Sequence, residues 1–239
     1  MTVTLSIGAV ASAFPRYRAG VVIATDLVIP PERPPALDTL IRERETAARA
    51  RWAGMELSAI PGVAAWREAY KAFGIKQTRY RSSVERLVKN VLAGRELPRV
   101  NGFVDLYNAV SLAHVLPLGA DDLDRVTPPF AFRYAVDGDT FVDMADAASG
   151  EGEAGASPPK PGEVVFADAE KVLCRRWNWR QDARSLIRPE TTRAIVTVQG
   201  NGAGDVEAAV ADLRDLIAAF CGGGTRAGIA DANATSITM

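Results

Sequence analysis

The chain has 239 residues, 48% of them hydrophobic, enough to bury a sizeable core in one large domain or two small ones. Its 28 basic and 29 acidic residues leave a net charge of -1, which excludes a protein-wide basic field for nucleic acid and confines any such contact to a local patch. Two cysteines, Cys174 and Cys221, are too few for a disulfide scaffold, and one histidine, His114, is too few for a Cys/His zinc site; a reducing, cytoplasmic setting and no cofactor are expected.

Ala11-Ser12-Ala13 follows an apolar stretch in the manner of a signal-peptidase site. No Lys or Arg precedes it, and Thr4, Ser6 and Gly8 interrupt the stretch, so a signal peptide is not expected. No run of about 18 apolar residues is present, so no transmembrane helix and no membrane partner are expected.

Thr2 to Ala11 and Gly20 to Ile29 are rich in Val, Ile and Thr and read as strands, the second stopped by Pro30, Pro31, Pro34 and Pro35. Ala36 to Gly54 and Val63 to Phe73 read as helices. Ser82 and Glu85 fit a capping box ahead of Val84, Leu87, Val88, Val91 and Leu92 at helical spacing, with Gly94 at the C-terminal cap. A further helix is predicted from Gly102 to His114. Strands are predicted over Phe130 to Val136, Thr140 to Met144, Glu163 to Ala167, Lys171 to Trp179 and Arg193 to Gln199, and an amphipathic helix over Asp205 to Phe220. Strands and helices without strict alternation favour an α+β fold with mixed or antiparallel sheets and packed helices. One domain over residues 1–221 is expected, with 146–162 as a flexible loop and 222–239 as a disordered tail.

On the helix from Gly102, the residues Asn101, Asp105, Asn108 and Ser111 share one face, opposite Phe103, Leu106, Tyr107 and Val110. Short amides and one carboxylate are poor helix formers, so their clustering implies a fixed polar network: a site, or a brace for nearby loops. His114 falls on the apolar side and reads as a packing residue. Gly200-Asn201-Gly202-Ala203-Gly204 reads as a tight turn rather than a dinucleotide fingerprint, since no second strand follows. Two arginine clusters stand out: Arg79, Arg81, Arg86, Lys89, Arg95 and Arg99, and then Arg175, Arg176, Arg180, Arg184 and Arg188 with Trp177 and Trp179 interleaved. In a strand, Arg176, Asn178 and Arg180 would share one face and Arg175, Trp177 and Trp179 the other. Each cluster is either solvated charge around core tryptophan or a surface for an RNA end.

The stretches Tyr80-Arg81-Ser82-Ser83, Leu97 to Ser111, Pro117 to Asp124, Gly162 to Asp168 and Val172 to Asn178 resemble free-standing relatives of the editing module of the phenylalanyl-tRNA synthetase beta subunit, the B-three/B-four domain family. The resemblance covers roughly Trp66 to Val198. In the synthetase this α+β module hydrolyses tyrosine wrongly attached to the phenylalanine tRNA. The resemblance therefore implies a trans-acting aminoacyl-tRNA deacylase serving translation quality control, with a tRNA acceptor end and an amino-acid-like group as its ligands. An aminoacyl ester is already reactive, so a positioned water and oxyanion donors suffice without a protein nucleophile. On this reading Asn101, Asp105 and Asn108 form the catalytic set, with no metal. Arg81, Ser82, Ser111, Glu163, Arg176 and Asn178 bind substrate, Asp105 or Glu163 taking the amine and Arg81 and Arg176 the terminal phosphate. The alternatives are a non-catalytic amino-acid-binding protein and a hydrolase of small amino-acid esters or amides.

Overall fold

In the computed structural model, residues 2–75, 79–144 and 158–239 are described. Runs of β-branched residues bounded by Pro and Gly form the strands, and alanine-rich or side-chain-capped runs form the helices. In chain order these are β1 (Thr4–Ser6), α1 (Gly8–Ala11), β2 (Tyr17–Thr25), α2 (Pro35–Arg51), α3 (Pro61–Ala72), α4 (Ser83–Leu92), α5 (Gly102–His114), β3 (Leu118–Asp122), β4 (Phe130–Tyr134), β5 (Val164–Ala167), β6 (Val172–Arg175), β7 (Arg180–Gln181), β8 (Ala194–Asn201), α6 (Val206–Phe220), β9 (Gly224–Ala230) and β10 (Ser236–Thr238). The predicted α+β class holds. No helix among the described residues is long and apolar enough to cross a membrane.

The strands form a six-stranded sheet in the order β10-β1-β4-β5-β6-β7 and a four-stranded sheet in the order β3-β8-β2-β9. The smaller sheet is antiparallel throughout, and in the larger one β1 and β4 run parallel. Helix α6 lies on the outer face of the smaller sheet. It comes close because Gly20 has no side chain: a Cβ there would stand 2.6 Å from Val210 Cγ2 and 3.0 Å from Val206 Cγ1. The opposite face looks toward the larger sheet, and the rings of Tyr17 and Phe132 meet across the gap at 5.5 Å.

Several predicted elements change. Residues 2–11 do not make one strand: β1 is short, the Ser6 hydroxyl accepts the Gly8 N–H at 3.2 Å, and the chain turns into α1. Thr140 to Met144 forms only a bridge between Asp143 and Asp182 rather than a strand. Most of the predicted loop at 146–162 lies outside the described residues. The strand expected over Lys171 to Trp179 stops at Arg175, because Arg176 (φ 45) and Trp177 (φ 68) adopt left-handed backbone conformations. The Trp177 N–H donates to the Val164 carbonyl at 2.6 Å, and its fully buried indole meets Phe14, Tyr17 and Trp66 edge-on at 4.7, 4.8 and 5.2 Å. The predicted alternation of faces from Arg175 to Arg180 is thereby lost.

Residues 222–239, expected as a disordered tail, instead carry β9 and β10. Strand β9 pairs with β2 along Ala19 to Thr25, and β10 pairs with β1. Gly223 at φ 76 makes the close turn back onto Thr25, where a Cβ would meet the Thr25 carbonyl oxygen at 2.0 Å. The segment is only partly apolar, and its order comes from filling backbone hydrogen bonds at two sheet edges. Deleting residues 222–239 should therefore lower the urea midpoint sharply or abolish cooperative unfolding. An unchanged midpoint would show that the two strands add nothing.

Candidate functional site

The polar face of α5 is a frame. Asn101 caps the helix, its Oδ1 accepting the Val104 N–H at 2.9 Å while Nδ2 donates to the Ile187 carbonyl at 3.3 Å. Asp105 is buried against Arg33, whose side chain is only 2% exposed: Arg33 Nε donates to Asp105 Oδ2 at 2.9 Å, and the Val100 N–H donates to Oδ1 at 2.9 Å. Arg33 also donates to the Pro98 carbonyl at 2.8 Å, so one ion pair fastens the segment before α5 to the segment before α2. Ser111 donates its hydroxyl to the Leu116 carbonyl at 2.6 Å and closes the end of the helix. Only Asn108 of the four reaches a cavity wall.

The remaining predicted binding residues divide in the same way. Ser82 caps α4, accepting the Glu85 N–H at 3.3 Å; Glu85 turns to Arg67 and Arg81 rather than back to the cap, so Arg81, just before the helix, is held in an ion pair with its first turn. Glu163 receives Arg175 Nε and Nη2, each at 2.9 Å, and the Arg176 N–H at 3.0 Å. Asn178 accepts the Tyr70 hydroxyl at 2.9 Å and donates to Gln199 Oε1 at 3.3 Å on a cavity wall. Arg176 lines a separate outer groove. His114 is at the end of α5 with Nε2 3.0 Å from Asp212 Oδ2, away from both.

The cavity, of about 150 Å³, opens between the two sheets. Helices α4 and α5 supply Ser83, Tyr107 and Asn108. Strands β3 and β8 supply Leu118, Gly119, Asp121, Thr197 and Gln199. The larger sheet and its left-handed turn supply Phe166, Cys174, Asn178, Trp179, Arg180 and Gln181. Register explains the grouping: Gly119 sits opposite Thr197 across β3 and β8, and Asp121 and Gln199 follow two residues on along their strands, on the same face. Ser83 Oγ, the Tyr107 hydroxyl, the Asn108 amide and Asp121 Oδ2 have no hydrogen-bond partner among the described residues. A buried polar atom is normally paired, so Ser83 Oγ, with the other three beside it on the cavity wall, is positioned to meet a ligand or water.

Asp121 is the chemically distinctive wall group. Burial raises its pKa to about 7, against donated hydrogen bonds from Ser185 at 2.7 Å and Gln181 at 3.0 Å, and the nearby Asp182 and Asp168 raise it further. A carboxyl poised near neutrality can exchange a proton with a bound water. The sequence reading passed over Asp121, Thr197 and Gln199. The signal was available for two of them, since Thr197 and Gln199 alternate with Val196 and Val198 along β8, whereas Asp121 is followed directly by Asp122 on β3 and shows no such alternation.

The model of the B3/4 domain family matches residues 65–214, more than half of the chain, and every cavity residue falls within that range. Among solved structures, an N-terminal fragment of the phenylalanyl-tRNA synthetase beta-subunit from Pyrococcus horikoshii is similar at 13% sequence identity and a TM-score of 0.43, over 94% of this chain and 50% of that one. The chain thus spans about half the length of that fragment. No curated protein sequence matches it.

Replacing Asp105 with Ala leaves the buried Arg33 with Asp38 as its one carboxylate partner, at 3.2 Å, and should cost about 2–4 kcal/mol in urea denaturation. A loss below 1 kcal/mol would show that the pair does not brace α5. Asp121 should make stability depend on pH in the opposite sense to a paired carboxylate. Its folded pKa of about 7 exceeds the unfolded value, so its contribution is full below about pH 4 and is lost as pH rises through 7. The variant Asp121→Asn should accordingly gain on the wild type between pH 4 and pH 8, by at most roughly 4 kcal/mol. A constant difference across that range would contradict the shifted pKa.

Proposed function

The chain belongs to the B3/4 domain family, and on that premise we propose that it hydrolyses the ester of a misacylated tRNA in trans. The observation that carries the proposal is the cavity between the sheets, with Asp121 near neutrality among unpartnered polar groups. The acyl group enters this cavity, with Leu118, Phe166 and Trp179 against its apolar part and Asn108, Asn178 and Ser83 toward its amine and carbonyl. Ionised Asp121 takes a proton from water as the water oxygen bonds to the ester carbonyl carbon. The bond from that carbon to the ribose oxygen then breaks, and the proton passes to the departing ribose hydroxyl. Asn101, Asp105, Ser82 and Ser111 act on this scheme by holding α4 and α5 in place. Ser83 and the neighbouring amides supply the donors that oppose charge on the carbonyl oxygen.

Gly119 offers a clean test of where the acyl group goes. Its absent side chain leaves room in the wall, with only Thr197 Oγ1 within 4.0 Å of an added Cβ. Gly119→Val should therefore fill the cavity while leaving the melting temperature near the wild-type value. In a deacylation assay over a panel of aminoacyl-tRNAs, the wild type should release one or a few amino acids. Gly119→Val should be inactive, and Asp121→Asn should be slower by about 100-fold or more. The wild-type rate should fall about tenfold per pH unit below 7, where Asp121 is protonated. A folded wild type that deacylates nothing in the panel, or a Gly119→Val variant with full activity, would sink the proposal.

A further inference from the structure

Arg176 is a buried cation whose charge the protein leaves partly unanswered. It is 6% exposed, and its Nε and Nη1 have no hydrogen-bond partner among the described residues. The nearest carboxylate, Glu163, stands 4.0 Å from Arg176 Nη2 and is already held by two donors of Arg175. Burial lowers the Arg176 pKa; Glu163 acts against that shift and the Arg175 charge adds to it. The guanidinium is fixed in the corner between two perpendicular rings, 3.8 Å from the Tyr80 centroid and 4.4 Å from that of Trp179. Cation–aromatic contact orients it but satisfies none of its N–H groups.

The Arg176 side chain borders an open groove of about 460 Å³ whose floor includes Phe73, Ile75 and Tyr80, with Arg79 and Lys160 exposed at its rim. Neither rim cation is in an ion pair among the described residues. Arg79, Lys160 and Arg176 thus face the groove together, and Glu163 is the one carboxylate on its described wall. We propose that this groove binds a phosphate group, taken between Arg176 and the two rim cations. A phosphate monoester offers acceptors in several directions and up to about two negative charges among the three cations; a lone carboxylate offers less of both. Trp179 contacts Arg176 on one side and lines the inner cavity on the other, so one ligand can place a phosphate in the groove and an acyl group in the cavity. That last step rests on the proposed deacylase function; the phosphate site does not. Of the two arginines expected to hold phosphate, Arg81 is engaged by Glu85, and Arg79 and Lys160 take its place.

The test is titration calorimetry of the whole chain with inorganic phosphate, adenosine monophosphate and a short acceptor-stem RNA hairpin, at matched ionic strength against chloride. Arg176→Met should weaken phosphate binding at least tenfold. The exposed double variant Arg79→Ala, Lys160→Ala should weaken it several-fold and answers the question even if Arg176→Met does not fold. Phosphate that fails to bind the wild type, or binds wild type and double variant alike, overturns the site. A hairpin that binds much more tightly than the mononucleotide, and loses that advantage in the variants, identifies RNA as the source of the phosphate. Equal affinities identify a free phosphate ester. Phosphate binding without deacylation would remove the proposed function and leave the site; deacylation without phosphate binding would do the reverse.

Discussion

Two consecutive non-glycine residues in left-handed conformations, Arg176 and Trp177, organise both the inner cavity and the outer groove. Each costs roughly 1–2 kcal/mol in backbone strain. Burial of the Trp177 indole among Phe14, Tyr17 and Trp66 offsets this, because a large ring in edge-to-face contact is among the most stabilising single insertions a core can take. The turn ends β6 and sends successive side chains to different places. Trp177 goes into the core, Asn178 to the inner cavity, Arg176 to the outer groove and Trp179 to the wall between them.

The near-zero net charge conceals a sharp local separation. Many arginines are consumed by internal pairs: Arg33 with Asp105, Arg67 and Arg81 with Glu85, Arg175 with Glu163, Arg180 with Asp143 and Arg184 with Asp182. Such pairs position segments; they are not in themselves large sources of stability. What they leave over is informative. On one side of Trp179 lies Arg176, buried without full compensation; on the other lies Asp121, buried with its ionised form disfavoured. The two imbalances have opposite sign, and both open toward space that a ligand can fill.

Helix α5 shows how a structural network and a site come to look alike in a sequence. Asn101, Asp105, Asn108 and Ser111 were legible as one polar face forming a fixed network, and the structure buries three of them. The partner of Asp105 is Arg33, 72 residues earlier, and no local pattern announces that pairing. A carboxylate beside a guanidinium is a brace; the same carboxylate beside an open cavity is a candidate base. The distinction rests on a long-range contact, and by that criterion Asp121 takes the place first suggested for Asp105.

The sequence by itself determined the local elements. Ser82, Asn101 and Asp205 cap their helices as residue type dictates, β8 and α6 lie where their periodicities put them, and Gly94 ends its helix in a left-handed conformation. Residues across the stretch from Trp66 to Val198 also carried the family resemblance. Tertiary structure alone decided the rest. Residues 222–239 became strands because two sheet edges offered unpaired backbone groups, and the strand expected through Trp179 broke at the left-handed turn that carries Trp177 into the core. The cavity and the groove follow from those two outcomes. Their walls come from segments far apart in the chain, and which polar groups are left unpartnered is settled only when every other partner is in place.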